Sequence, residues 1–547
     1  MTRLLIGPLL RHVGSTEATV WVETDGPCVV DVLGHREHTW TVAGHHYALV
    51  VVEGLEAASS IPYEVRLDGE LVWPPTDARR PSPRIRTQGR DRPVRLVFGS
   101  CRYGRAAVTV ADPRFDPDAL ACYARTIAAT DEGDWPDAIV LLGDQVYADE
   151  TSEATRRRIR ARRDTTTGSG DEVADFEEYT WLYLESWTDP DVRWLLSTIP
   201  SAMIFDDHDV RDDWNTSHSW RVDMQATSWW AERIIGGLSS YWVYQHLGNL
   251  GPAELRENEL FQKLRSHDAD AELRLRDFAV QADAEADGAK GTRWSFRREF
   301  GRVRLLMIDS RCGRILADGE RSMISESEFA WLEDQVGGDY DHLLIGTSLP
   351  WLLPRALHDI ESWNELLCAG ARGPRVARWS ERLRRAADLE HWASFRTSFD
   401  RLAELLASVG RGEHSGPGGS FPATVCVLSG DVHHAYVAEA HFERPVRSRV
   451  YQLTCSPLHN HIPAAMRLTF RVSWSRMTER AMRRLLGVMA RVPAMPLTWT
   501  RVSGPFFGNE IAELVVDGRR ADTVLRKSAA PDDSADLIEV FRRRLSG

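Results

Sequence analysis

Six short apolar runs, each followed at once by a cluster of Cys, Asp, His, Tyr or Arg, constrain this 547-residue chain more than any other feature. They are VRLVFG (94–99), DAIVLLG (137–143), SAMIFD (201–206), VRLLMID (303–309), HLLIGT (342–347) and TVCVLSG (424–430). Runs that are apolar along their whole length read as strands buried on both faces. The stretches between them carry helical patterns; SESEFAWLEDQV, for one, opens on a capping box of Ser325 and Glu328. Such alternation makes a layered α/β domain, in which ligands collect where strand carboxyl ends release their loops. Here the released loops are SCRYG, DQVYAD, DHDVRDD, DSRCG, SLPW and DVHHAY, so one polar site built from distant segments is expected.

The chain ahead of these runs follows another grammar. Residues 1–73 alternate in short segments such as ATVWVET, HYALVVVEGL and YEVRLDGELVW, the last with a hairpin turn at Asp68-Gly69. That is the rhythm of a small all-β sandwich of the immunoglobulin or fibronectin type. Residues 74–93 hold five prolines and six arginines without apolar periodicity and read as an exposed linker. The α/β domain is expected over 94–510, with insertions at about 150–200 and 215–300. Residues 511–547 read as a hairpin turning at Asp517-Gly518, then an amphipathic helix from about 534 with Leu537, Val540, Phe541 and Leu545 as its apolar stripe.

Composition excludes several classes. With 67 basic and 80 acidic side chains the net charge is −13, which argues against a scaffold coated for nucleic acid. Seven scattered cysteines suit a reducing compartment better than a disulfide framework. No run of about 18 apolar residues offers a membrane span. The first apolar segment is broken by Pro8 and closed by Arg11 and His12 with no cleavage pattern after it, so a cytoplasmic location without a classical export signal is expected.

The residues at the strand ends are those that coordinate metals: carboxylate and phenolate oxygens suit hard cations, thiolate and imidazole softer ones. Glycine before the aspartate in LLGDQVY and in VLSGDVHH lets the backbone turn tightly, so that Asp144 and Tyr147 face one cavity.

FGSC (98–101), GDQVY (143–147), FDDHDVRDD (205–213) and GDVHH (430–434), in that order, resemble the PhoD-type alkaline phosphatases, a branch of the calcineurin-like metallophosphoesterases. The resemblance implies a metallophosphoesterase-type layered α/β sandwich preceded by the small β-sandwich. It also implies hydrolysis of phosphate monoesters or diesters by a water activated between two metal ions. Carried over residue by residue, Cys101, Asp144, Tyr147 and His433 hold a ferric ion, and Asp144 bridges to a calcium ion completed by Asp207 and Asp431. Magnesium, manganese and zinc are the alternative ions. His208 becomes the catalytic histidine. Independently of the resemblance, Arg102 and Arg311 stand next to strand ends and are read as holding phosphate oxygens through their guanidinium forks, with a salt bridge to Asp309 the alternative for Arg311.

The chain departs from the pattern in three places. Asp212 and Asp213 stand where the family tends to show paired asparagines and are read as additional metal or pocket residues. Thr347 and Ser348 occupy a place where the wider superfamily commonly has a metal-binding histidine, and Asp431 replaces the first histidine of its Gly-His-x-His. Both of these harden the second site toward oxygen ligands. His434 is the alternative to His433, and Asp206 and Asp209 read as backbone caps. The rival function is a non-catalytic metal-binding or interaction protein on the same scaffold; a structural metal site has no use for the extra imidazole of His208.

Overall fold

The structure is a computed structural model that describes every residue except 78, 90–91, 105–114, 266–269, 290–291, 318–319, 416–419, 490–494 and 530–535. All six apolar runs are strands. Val94–Gly99, Ala138–Leu142 and Ser201–Ile204 lie side by side and parallel in a six-stranded sheet. Val303–Ile308, His342–Thr347 and Thr424–Ser429 do the same in a seven-stranded sheet. Period-2 alternation explains why these strands are apolar throughout. Leu305, Met307, Leu344, Cys426 and Leu428 join the core shared with the six-stranded sheet. Leu306, Ile308, Leu343, Ile345, Val425 and Val427 belong instead to the core under the helix Arg396–Arg411 and the helix Glu326–Gln335, which Ser325 caps as expected. Helices Ala119–Ala128 and Pro190–Thr198 contribute to the core of the six-stranded sheet, giving a layered α/β sandwich.

Two four-stranded sheets form the N-terminal sandwich, with Leu10, Val20, Val22, Val30, Val50 and Val65 between them. The sandwich is not self-contained. Ile6, Leu9, Trp21, Trp40, Tyr47 and Leu49 belong to the same core as the α/β domain. The stretch read as an exposed linker contains the strand Arg84–Arg86, which pairs with Ser60–Pro62 and buries Ile85 completely. Its arginines are polar only at their tips, and the residue between them packs.

The C-terminal hairpin, Glu510–Asp517 and Arg520–Ser528, extends the six-stranded sheet as expected. The helix expected after it is corrected: Leu537–Ser546 is a strand, antiparallel to Arg520–Ser528 at the sheet edge. Leu537, Phe541 and Leu545 are spaced by four, which fits one helical turn and also one face of a strand. The open edge of Arg520–Ser528 decides between the two by supplying hydrogen-bond partners. Leu545 is then buried while Val540 is 38% exposed. Among the described residues no helix is long and apolar enough to cross a membrane.

Candidate metal centre

Asp144 follows Ala138–Leu142, and Asp206 and Asp207 follow the adjacent Ser201–Ile204; ligand oxygens of the three lie within 4.8 Å of one another. All three side chains are buried. Asp144 Oδ1 and Asp206 Oδ2 have no hydrogen-bond partner among the described residues. Burial, followed by the neighbouring Cys101 and Asp206, pushes the Asp144 carboxyl well above the usual carboxylate range. Burial also raises Asp206 and Asp207, in spite of Arg311. Two buried carboxylate oxygens left without donors are costly unless a cation meets them. The all-oxygen set fits a hard one.

The loops reach this place through strained backbone. Cys101, Asp144, Asp431 and His433 all take left-handed φ values, 55°, 52°, 65° and 48°. Such values are uncommon outside glycine and cluster at functional sites. Gly143 has φ 108°, and a Cβ there would stand 2.5 Å from Asp206 Cβ. A Cβ at Gly430 would collide with Ser100. Asp209 braces the cradle: its Oδ2 accepts from the backbone N–H groups of Asp144 and Asp206, both at 2.9 Å, and its Oδ1 from Gln245 Nε2 at 3.1 Å. That is the capping role expected of it. Asp206, expected to cap as well, is instead one of the clustered carboxylates.

Arg311 is fully buried among four carboxylates. Its Nε is paired with Asp206, Nη1 lies 2.6 Å from Glu390 Oε1, and Nη2 lies 3.3 Å from Asp207 Oδ1 and 3.7 Å from Asp431 Oδ1. The guanidinium thus stands between Asp207 and Asp431, the pair expected to complete a second ion site, and the residues do not fit a second ion there. Arg311 Nη2, though near both carboxylates, has no hydrogen-bond partner among the described residues. Arg102 is committed to Asp118 at 2.8 Å and to the carbonyl of Ser186 at 2.7 Å. Both arginines, expected to hold phosphate, are engaged with protein carboxylates and carbonyls in this structure. Asp431 also faces His391 Nε2 at 3.2 Å, and His391 Nδ1 is held by Glu361 at 2.8 Å.

Cys101 and His433 are not among the residues whose ligand atoms cluster within 4.8 Å, and Cys101 and Tyr147 stand near enough to Asp144 to shift its titration or be shifted by it. The Cys101 sulfur lies 3.1 Å from the hydroxyls of both Ser100 and Ser456, and burial, then Asp431, pushes the thiol up to about 12. Tyr147 Oη accepts from Asn460 Nδ2 at 2.9 Å, and burial together with Cys101 and Asp144 raises its phenol. Burial pushes His433 down to about 4. His434 is a packing residue: its Nδ1 meets the carbonyl of Val432 at 2.7 Å and its ring lies against Phe470 and Tyr436.

His208 Nδ1 lies 2.9 and 3.0 Å from the two oxygens of Asp149. Burial alone would lower the imidazole, but Asp149 overrides it and raises His208 well above its ordinary value. Asp149 is correspondingly held down to about 2 against its own burial. Asp149 thus favours the protonated form of His208, whose Nε2 lies 3.8 Å from Asp212 Oδ1 at the exposed rim. Burial, then Glu390 and Asp388, pushes Asp213 up to about 9, and its N–H donates to Asp207 Oδ2 at 3.1 Å. Asp149 ended the DQVYAD loop in plain view, whereas Asn460, Glu390 and His391 come from segments with no motif.

Two packed sheets thus bring a carboxylate pocket to their strand ends, where layered α/β proteins bind ligands. The PhoD-like phosphatase family model matches residues 111–337, which include Asp144, Tyr147, Asp207, His208 and Arg311. Residues 1–85 match a domain of unknown function, DUF7800. Among solved structures the chain is similar in fold to a structure of PhoD, at 11% identity and a TM-score of 0.57, over 99% of this chain and 92% of that one. It is also similar to purple acid phosphatase PPD1 from yellow lupin (Lupinus luteus) seeds, at 10% identity and a TM-score of 0.49, over 98% of this chain and 74% of that one. A sequence search of curated proteins finds no match.

Proposed function

We propose that the protein hydrolyses phosphate esters with one metal ion held by Asp144, Asp206 and Asp207, while Arg311 supplies the second fixed positive charge. The orphaned oxygens of Asp144 and Asp206 are the observation that carries this reading. When bound, such an ion neutralises phosphate oxygens and lowers the pKa of a water. His208, kept protonated by Asp149, donates from Nε2 to the leaving oxygen. Arg311 offsets the carboxylate charge before substrate arrives and fixes Asp207 and Asp431 without reorganisation.

Calcium suits the all-oxygen set. Iron(III) becomes the assignment if Cys101 and Tyr147 ionise and join, and since both are protonated without metal, binding then releases two protons and strengthens as pH rises. Asp212, Asp213 and Asp388 are all raised by burial and by neighbouring carboxylates, so as pH rises and they ionise they repel a dianion more than a monoanion, and the preference for diesters over monoesters grows.

Chelation and reconstitution test the proposal, with p-nitrophenyl phosphate and bis(p-nitrophenyl) phosphate as substrates. Stripping should abolish turnover, restoring the ion should recover it, and the ratio of diester to monoester kcat/KM should rise as pH climbs toward about 9. Full metal content with no turnover on either ester would favour the non-catalytic reading.

A further inference from the structure

Helices Ala464–Ser473 and Arg476–Met489 carry apolar side chains on more than the side they bury. In the second, Met482 and Leu486 pack against Trp363 and Leu367 of the helix Arg355–Cys368. That face is satisfied. Met477, Ala481 and Leu485, one turn apart, form a different row that faces solvent, with Met477 81% and Leu485 58% exposed. Arg480 and Arg484 stand in the same exposed strip. On the first helix Leu468 and Val472, again one turn apart, are 63% and 47% exposed, beside the exposed Arg471. Residues 464–489 carry six arginines against a single glutamate, in a chain whose net charge is −13.

An apolar row set among guanidinium groups is what an interfacial helix presents to a lipid surface: the rows enter the headgroup boundary while the arginines meet lipid phosphates. A second copy of this chain fits less well, because pairing the face with itself would bring two sets of arginines together. We propose that these two helices dock on an anionic membrane surface, lying in the headgroup plane without crossing it. The inference does not rest on the phosphatase reading, yet its place is suggestive of a purpose. Phe470 lies 4.2 Å from the ring of His434, next to His433, and Trp474 lies 4.9 Å from Tyr436. The docking segment is thus packed directly on the GDVHH loop of the metal centre.

Vesicle sedimentation of the full-length protein tests this. Vesicles of phosphatidylcholine mixed with phosphatidylglycerol should capture it, vesicles of phosphatidylcholine alone should not, and added salt should release it. Arg480→Glu with Arg484→Glu should weaken capture by at least roughly 30-fold. Met477→Ser with Leu485→Ser should weaken it by roughly tenfold or more. An unchanged circular dichroism spectrum shows that each variant is folded, and these surface positions bury no core. No capture by the mixed vesicles would overturn the proposal, as would equal capture of the variants. So would a solution dimer that Met477→Ser with Leu485→Ser dissolves while vesicles capture nothing, or retention by polyglutamate in place of lipid.

Discussion

Replacing Arg11 by methionine should loosen the N-terminal sandwich and the metal cradle together. Arg11 lies on the strand Leu4–Val13 and is 1% exposed. It donates to the carbonyls of Tyr244 at 2.8 Å, Gln245 at 2.7 Å and Ser201 at 3.3 Å, and to Asn249 Oδ1 at 3.2 Å. Methionine fills a similar space and donates nothing. The carbonyls of Tyr244 and Gln245 lose short bonds, and a buried acceptor left unpaired costs about 1–3 kcal/mol. The two longer bonds count for less, since Asn249 Oδ1 also accepts from the N–H of Met203 at 3.0 Å. Against this stands the desolvation of a buried guanidinium, which the variant no longer bears, so the net loss is on the order of 2–4 kcal/mol. The effect reaches the metal centre because Gln245 donates to Asp209, which fixes the backbone of Asp144 and Asp206. Urea unfolding of metal-loaded and stripped protein, with metal content measured alongside, reads both consequences. Gly248 provides the internal check, because a Cβ there would stand 2.5 Å from Arg11 Cζ. Gly248→Ala should destabilise the wild type and cost much less in the Arg11→Met background, a coupling of roughly 1 kcal/mol or more. Additive costs, or a wild-type unfolding midpoint for Arg11→Met, would refute the reasoning.

Three further outcomes are expected. His45 sits between Glu177 and Glu23, whose hydrogen bonds outweigh burial and raise it from 6.5 to about 9; the stability it lends is complete below 6.5 and lost as pH rises through about 9. The gap in Tm between wild type and His45→Gln should therefore close as pH climbs past that upper value, and a constant gap would count against the charge pairing. His208→Ala should keep its ion and lose roughly 100- to 10,000-fold in turnover, with Asp149→Asn falling in the same direction; unaltered initial rates would make the pair structural. Leu545→Ala should cost about 2–5 kcal/mol in denaturant unfolding while Val540→Ala stays within about 0.5 kcal/mol, because a strand buries one and exposes the other. Comparable losses at both positions would favour the helical stripe.

Strands were legible because burial on both faces writes an unbroken apolar run, and the site was legible wherever a ligand directly follows such a run. Asp144 and Asp207 are of that kind. Asp206 reads as a cap because the aspartates of this segment look alike in sequence, and only the structure shows that Asp209 takes the backbone donors of Asp144 and Asp206 while Asp206 keeps one oxygen on Arg311 and the other without a partner among the described residues. The protein partners of Arg311 and Arg102 were hidden for a related reason. A guanidinium's role depends on what converges on it, and Glu390, Asp431 and Asp118 arrive from segments far apart in the chain. The C-terminal strand was lost to a spacing of four that both periodicities share, and the linker to an isolated buried Ile85 between two arginines.

The central claim is that hydrolysis depends on an ion held by the clustered carboxylates. Elemental analysis and initial rates, measured on the same preparations of wild type and Asp144→Ala, test it most directly. The account predicts one tightly held ion per wild-type chain, and loss of that ion together with loss of turnover, by more than the 10- to 100-fold typical of indirect partners, in Asp144→Ala. Asp144→Ala that keeps its ion and its rate would contradict it.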